Sequence, residues 1–410
     1  MAPKLFVTPL ELLGTQTKGY ADAVPQPNPT AFLDWLASDL APDETVAGLI
    51  ERFGQGLAEV GAHAARISAW LPTSHPELWG TQIVWVEGSE AEVILRPHDI
   101  TKTDAYLNTP GQAMYETPGK PLRWRLEGNT HQLPYPLLQQ FAAEGYTDYY
   151  MRPFLLHNEQ AWVALLSRQP GGFTDAEIAT IEELCRQIGW KIRVAVSHES
   201  LASLLRVYLG HNAAQRVLGG QFRRGTGSTI DAAIWFCDLR GFTQLSDATP
   251  PAEMVKVLDE YFEAVAGAIE DAGGEILKFI GDAVMAVFPF DTDKADVCQR
   301  ALSAAQALLA QIAQRPGQPL HIGVGLHCGE VYYGNIGGRS RLDFTVIGAA
   351  VNETCRIESM CKELGYPLLM SAQFAQHLVS DTVTSLGQHR LKGVSQPREM
   401  FTLAKFTAPT

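Results

Sequence analysis

Three short segments hold the side chains that could do chemistry. The first, Trp235-Phe236-Cys237-Asp238-Leu239-Arg240-Gly241-Phe242-Thr243, ends an apolar run on an acid and passes through a glycine turn toward a helix. An aspartate at a strand end, with turn N–H groups beside it, suits a metal–phosphate complex. Hard Mg²⁺ prefers carboxylate and phosphate oxygens, and free amides cradle anions. The second, Lys278-Phe279-Ile280-Gly281-Asp282-Ala283, puts Asp282 at the tip of a hairpin. If its strand lies beside the first, Asp282 faces Asp238, and the two carboxylates can hold two divalent ions ~3.5–4 Å apart, as an in-line phosphoryl displacement requires. The third runs from Phe344 to Arg356 and places Asn352 and Arg356 on one helix face. An amide there suits a ribose oxygen, and a guanidinium suits a phosphate. Taken singly, each segment has an ordinary structural reading as a helix cap, a turn or a solvated helix face. Their weight lies in the combination.

The elements that must position these residues follow from patterning. Ala232 to Cys237 reads as a strand. A helix opens at Pro250 or Pro251, carries Met254, Leu258, Phe262, Val265 and Ile269 on one face, and closes at Gly273-Gly274. Strands Glu275 to Ile280 and Ala283 to Phe288 join at Gly281-Asp282. A helix from Ala295 to Ala313 and strands from His321 to His327 and Asp343 to Ile347 complete a β-α-β-β-α-β order. That order predicts a ferredoxin-like α+β sandwich with additions.

Upstream, Pro25, Pro27 and Pro29 predict an extended leader over residues 1–42. Asp43 to about Arg66 reads as a helix. Ile83 to Val86, Val93 to Leu95, Tyr149 to Leu156 and Ala161 to Ser167 read as strands, the last two separated by His157-Asn158-Glu159. Pro170-Gly171-Gly172 breaks the chain, and Thr174 with Glu177 forms a capping box. The stripe Ile178, Ile181, Leu184, Ile188, Ile192 and Val196 predicts a long helix, with a second stretch from Leu201 to Leu209. This is either a signalling helix or short coiled coil joining two domains, or a terminal helix packed on its own domain.

Composition bounds the answer. The chain has 410 residues, 46% hydrophobic and 19% charged, which predicts two or three globular domains and excludes a mainly disordered chain. Net charge is −13. The first 208 residues carry 15 Lys+Arg against 24 Asp+Glu and the rest 17 against 21, so neither part has the basic excess of a nucleic-acid binder. Six scattered cysteines without a CxxC pair suggest reduced thiols. With neither a signal-peptide pattern nor a transmembrane stretch, the expectation is a cytoplasmic protein with no membrane partner. His63, His75, His98, His131 and His157 lack metal-ligand spacing and are unassigned.

In this order and spacing, the three segments resemble the catalytic domain of class III nucleotidyl cyclases. The resemblance covers about Ile230 to Phe406. It includes Gly325-Leu326-His327-Cys328-Gly329 with Gly334-Asn335-Ile336-Gly337, and extends to Val207-Tyr208-Leu209-Gly210. It implies cyclisation of a nucleoside triphosphate: the ribose 3′-hydroxyl attacks the α-phosphorus in line and pyrophosphate leaves. Two copies of the domain pair head to tail, and each active site draws on both. By resemblance, Asp238 and Asp282 hold two Mg²⁺ or Mn²⁺ ions, with the Leu239 carbonyl as a further ligand. Asn352 orients the ribose, and Arg356 stabilises charge that grows on the α-phosphoryl oxygens, so its loss lowers kcat more than it raises KM. Lys392, in Arg390-Leu391-Lys392-Gly393, binds the terminal phosphates. Phe242 and Thr243 fall among the substrate-binding positions. Lys278 and Thr345 occupy the base-selecting positions. A lysine donates to adenine N1 and a threonine hydroxyl can accept from the N6 amine, whereas guanylyl cyclases typically place Glu and Cys there. Many adenylyl cyclases carry Lys with Asp; Thr345 departs from that and resembles the Thr-type adenylyl subgroup, some of which respond to bicarbonate.

The N-terminal half resembles a GAF-type sensory domain, in which Trp79, Trp85, Tyr149 and Trp162 either line a ligand pocket or fill the core. The expectation is therefore an α+β chain with four parts: a leader at 1–42, a GAF-like α/β domain at 43–173, a helical linker at 174–229 and a ferredoxin-like βαββαβ cyclase domain at 230–410. Its expected activity is that of a homodimeric adenylate cyclase making cyclic AMP from ATP, regulated through the linker by a small-molecule effector of the N-terminal domain. The other readings are a guanylate or pyrimidine nucleotide cyclase and a non-catalytic nucleotide sensor.

Overall fold

Asn28 opens the first described element. In the computed structural model, residues 28–406 are described, apart from 42, 105, 129, 157, 317 and 318. Most of the expected leader, with Pro25 and Pro27, and the turn residue His157 lie outside them. The chain divides into two compact units, Met1–His198 and Glu199–Thr410.

In the first unit, α1 (Pro29–Ala37) replaces the extended backbone expected around Pro29. Proline is favoured in a first helical turn, where its missing N–H costs nothing, and the Asn28 side chain accepts from Ala31 N–H. Phe32, Trp35 and Leu36 then bury against α2 (Val46–Glu59). That helix stops short of Arg66, which instead opens β1 (Arg66–Pro72), a strand the patterning did not single out. Next come β2 (Leu78–Val86), β3 (Glu92–Pro97), α3 (Pro110–Glu116), β4 (Leu122–Arg125), α4 (Pro136–Ala143), β5 (Asp148–Leu156) and β6 (Glu159–Ser167). The strands form one antiparallel sheet in the order β3-β2-β1-β6-β5-β4. One core lies under α1, α2 and the helix that follows β6; a second lies under α3 and α4. Trp85, Tyr149 and Trp162 are buried in these cores, and Trp79 packs 4.4 Å from the Trp70 ring centroid. These aromatics fill the core.

The capping box forms as expected: Thr174 Oγ1 accepts from Glu177 N–H, and Glu177 accepts from Thr174 N–H. It opens α5 (Asp175–Leu209), a single 35-residue helix. Ile181 to Val196 along its inner stripe join the first core, while Leu201, Val207 and Tyr208 are exposed.

The second unit continues with α6 (His211–Leu218), β7 (Gly227–Leu239), α7 (Phe242–Ala248), α8 (Pro251–Asp271), β8 (Glu275–Ile280), β9 (Ala283–Pro289), α9 (Lys294–Gln314), β10 (Ile322–Gly337), β11 (Leu342–Ile347), α10 (Ala349–Leu364), β12 (Leu368–Ser371), α11 (Ala372–Ala375), β13 (Val383–His389) and β14 (Arg398–Leu403). The sheet order is β13-β14-β12-β10-β7-β9-β8, with β11 on β10. Its β10-β7-β9-β8 portion is the ferredoxin-like arrangement the element order predicts. Strands β7 and β10 are longer than their apolar cores suggested, because their ends pair with each other as far as Gly227 and Gly334. Odd-numbered β7 residues, Ala233 to Leu239, pack under α8 and α9. Even-numbered residues face the other side, where Ala232 and Ile234 meet Ala213, Ala350 and Val351. Asp238 has this second parity.

Candidate active site

Asp238 sits one residue before the end of β7, where it pairs in register with Gly323 of β10. On the other side β9 pairs with β7 as far as Cys237 and Val284. Two residues before Val284, the β8–β9 turn presents Asp282, with Gly281 at φ 65°. Glycine takes this left-handed conformation without a Cβ penalty. The Asp238 and Asp282 carboxyl groups come within hydrogen-bonding reach, and Asp238 is pushed up to about 6, first by burial and then by Asp282. Two carboxylates so close resist being ionised together. A divalent cation would relieve that conflict, and the donor chemistry suits a hard, oxygen-seeking ion. Arg240 N–H donates to His321 O at 2.7 Å, so strand alternation turns the Leu239 carbonyl toward the β9 side. Asp238, Asp282 and Leu239 therefore fit a divalent-ion site. Among the described residues, no group of three His, Cys, Asp or Glu side chains converges as a metal cluster, which leaves phosphate and water oxygens to complete any coordination here.

A third acid was not singled out from sequence. Glu358 lies on the inner face of α10 and is 8% exposed. It is pushed up to about 7, first by burial, then by Asp238, with Arg240 opposing and Asp282 adding. Gly323 and Gly325 make room for it: a Cβ at Gly323 would stand 2.5 Å from the Glu358 carboxyl oxygen, and one at Gly325 2.7 Å from its backbone N. The Gly323-Val324-Gly325 alternation on a central strand was the available signal, since a strand glycine marks close backbone approach.

The opposite face of α10 is exposed and carries Asn352 and Arg356. Among the described residues, no hydrogen bond or ion pair joins either to the acidic pair of the same chain. Lys392 is exposed in the turn between β13 and β14, and Arg398 at the start of β14 pairs with Glu353 of α10 at 2.8 Å. Phe242, at the start of α7, packs partly on the core, while Thr243 is exposed.

Lys278 and Thr345 stand on neighbouring elements. The Lys278 ammonium lies 3.5 Å from Asp343 of β11. Thr345 follows Asp343 by two residues and so shares its face of the strand. Thr345 is 4% exposed, and its hydroxyl has no hydrogen-bond partner. A buried hydroxyl without a partner is uncommon, and this one shares a strand face with Asp343, the residue that Lys278 reaches.

The fold and these residues describe an α+β domain with an acidic pair at adjacent strand ends and an Asn/Arg helix face, a build suited to nucleoside triphosphates. Residues 227–405 match the adenylate and guanylate cyclase catalytic domain, so the second unit carries a class III cyclase catalytic domain. An adenylate cyclase of Anabaena cylindrica is 39% identical over 160 residues, which are 38% of this chain and 32% of that protein. An uncharacterized protein of Mycobacterium tuberculosis is 33% identical over 195 residues, 47% of this chain and 35% of that protein. The match thus spans about a third of these relatives' length. Among solved structures, the adenylyl cyclase CyaB from P. aeruginosa aligns with 26% identity and TM-score 0.39, covering 44% of this chain and 97% of that one. Among the described residues, no helix is long and apolar enough to cross a membrane.

Proposed function

We propose that the second unit is an adenylate cyclase, converting ATP to 3′,5′-cyclic AMP and pyrophosphate at sites shared by two copies of the chain. The observation that carries this reading is the Asp238–Asp282 pair. Two acids held this close at strand ends repel each other when ionised, and such a placement is accounted for by a cationic ligand.

Divalent ions bound there would acidify the attacking hydroxyl and neutralise the triphosphate. The chain's own residues do the rest. Asn352 orients the ribose so that its 3′-oxygen lies in line with the α-phosphorus. Arg356 meets the charge that grows on the α-phosphoryl oxygens and acts chiefly in the transition state. Lys392 takes the terminal phosphates, and Phe242 and Thr243 belong to the substrate-binding turn after β7. Lys278 donates to adenine N1, and the unpartnered Thr345 hydroxyl accepts from N6. The N-terminal unit, a six-stranded sheet between helices, supports the GAF-like reading. It would bias catalysis through α5 in response to a small molecule. The same reading sets the reaction in the cytoplasm, where ATP and reduced thiols are found.

The test is turnover of ATP, GTP, CTP and UTP by purified protein with Mn²⁺ and with Mg²⁺. Cyclic AMP from the wild type and none from Asp238→Ala is the expected result. Silence with all four nucleotides in folded protein would favour a nucleotide sensor, and a preference for GTP would overturn the base assignment.

A further inference from the structure

Thr345 alone cannot tell adenine from guanine. A hydroxyl both donates and accepts, so it can serve the N6 amine of one base or the O6 carbonyl of the other. Lys278 is different: an ammonium only donates. Held at the N1 position it meets an acceptor on adenine and a donor N–H on guanine. Left free on its four-carbon stem, it can swing to the O6 acceptor of guanine instead. Discrimination therefore depends on what holds the ammonium in place. The structure provides such a group in Asp343, whose Oδ2 lies 3.5 Å from Lys278 Nζ. Its other oxygen lies 3.7 Å from Arg341 Nε. Arg341 is 88% exposed at its side chain against 32% for Lys278, so the lysine is both the nearer and the less exposed partner.

We propose that Asp343 is a positioning residue that sets base preference by pinning Lys278 beside the unpartnered Thr345 hydroxyl. In this domain a carboxylate on the same strand face, two residues before Thr345, fixes the donor. The proposal rests on the reading that Lys278 and Thr345 face the base.

The test compares wild type with Asp343→Ala, Asp343→Asn and Asp343→Glu. The side chain is half exposed and the backbone of β11 stays paired through Asp343–Ile336, so the variants should fold, as melting curves will show. The expected result for Asp343→Ala is a roughly tenfold loss of ATP-over-GTP preference in kcat/KM. KM for ATP should rise several-fold while kcat stays within about twofold. Asp343→Glu should restore most of the preference and Asp343→Asn little of it. The same preference, read as displacement of a fluorescent ATP analogue by ATP and by GTP, gives the answer without turnover. Wild type preferring ATP, with Asp343→Ala preferring it equally, overturns this inference and leaves the base assignment standing. Wild type preferring GTP overturns both. A fall in melting temperature with unchanged preference assigns Asp343 a purely structural role and also overturns it.

Discussion

The acid behind the site, Glu358, shows how a single buried residue shapes the domain's response to pH. Burial and the two aspartates push its carboxyl from 4.5 up to about 7. Between those values the folded chain binds more protons at this position than the unfolded chain does. Stability contributed here therefore falls as pH rises from about 4.5 to about 7 and stays lowered above that window. Glu358→Gln keeps the shape and cannot ionise. In metal-free buffer it should raise the melting temperature by a few degrees at pH 8 and change it little at pH 4.5. Thermal unfolding at both values decides the matter. A lower melting temperature at pH 8 would mean that the carboxylate is held by Arg240 more strongly than it is repelled by the aspartates.

At the scale of elements, the critical contact is between α10 and β10. A Cβ at Gly325 would stand 2.7 Å from Glu358 N and 2.8 Å from Thr354 O. Both are helix backbone atoms, so α10 itself must move. Gly325→Ala should cost about 1–3 kcal/mol, measured by urea unfolding. It should also lower kcat well below wild type at temperatures where the domain is folded, because α10 carries Asn352 and Arg356. Full activity in a destabilised variant would show that the helix's seat and its chemistry are independent. This packing also marks how much could be read in advance. The β7-to-β10 order was legible because Gly273-Gly274, Gly281 and Pro251 punctuate strong apolar patterns, and Asp238 and Asp282 stood at the ends of those strands. Helix α1 was not, because Pro29 fits both an extended leader and a first helical turn. Strand β1 was not singled out because it is buried along nearly its whole length and so shows no polar–apolar alternation. Glu358 and Asp343 were missed for another reason: their surroundings come from segments distant in sequence, Gly323 and Asp238 for one and Lys278 for the other, and the Gly323–Gly325 alternation marks a close approach without naming the acid that makes it.

At the scale of the whole molecule, the question is where Asn352 and Arg356 act. They lie exposed on the outer face of α10, while Glu358 on its inner face senses Asp238 and Asp282. A helix cannot present one side chain inward to an acidic pair and another, two residues away, to the same pair. Within one chain Arg356 and the acidic pair are thus separate, and in the proposed shared-site reading a second copy completes both. Each copy then contributes a metal half to one site and an arginine half to the other. Asp282→Ala and Arg356→Ala should each be nearly inactive as homodimers. When mixed, they form heterodimers in which one site carries both defects and the other carries neither, so that site is intact. With random pairing, half of the dimers are mixed and each has one of two sites working, so activity should recover to about a quarter of wild type. Titrating one variant against the other should give a bell-shaped curve with its maximum at equal amounts. No recovery in heterodimers shown to form, by tags of different mass, would sink the shared site and require Arg356 to reach the acidic pair within its own chain.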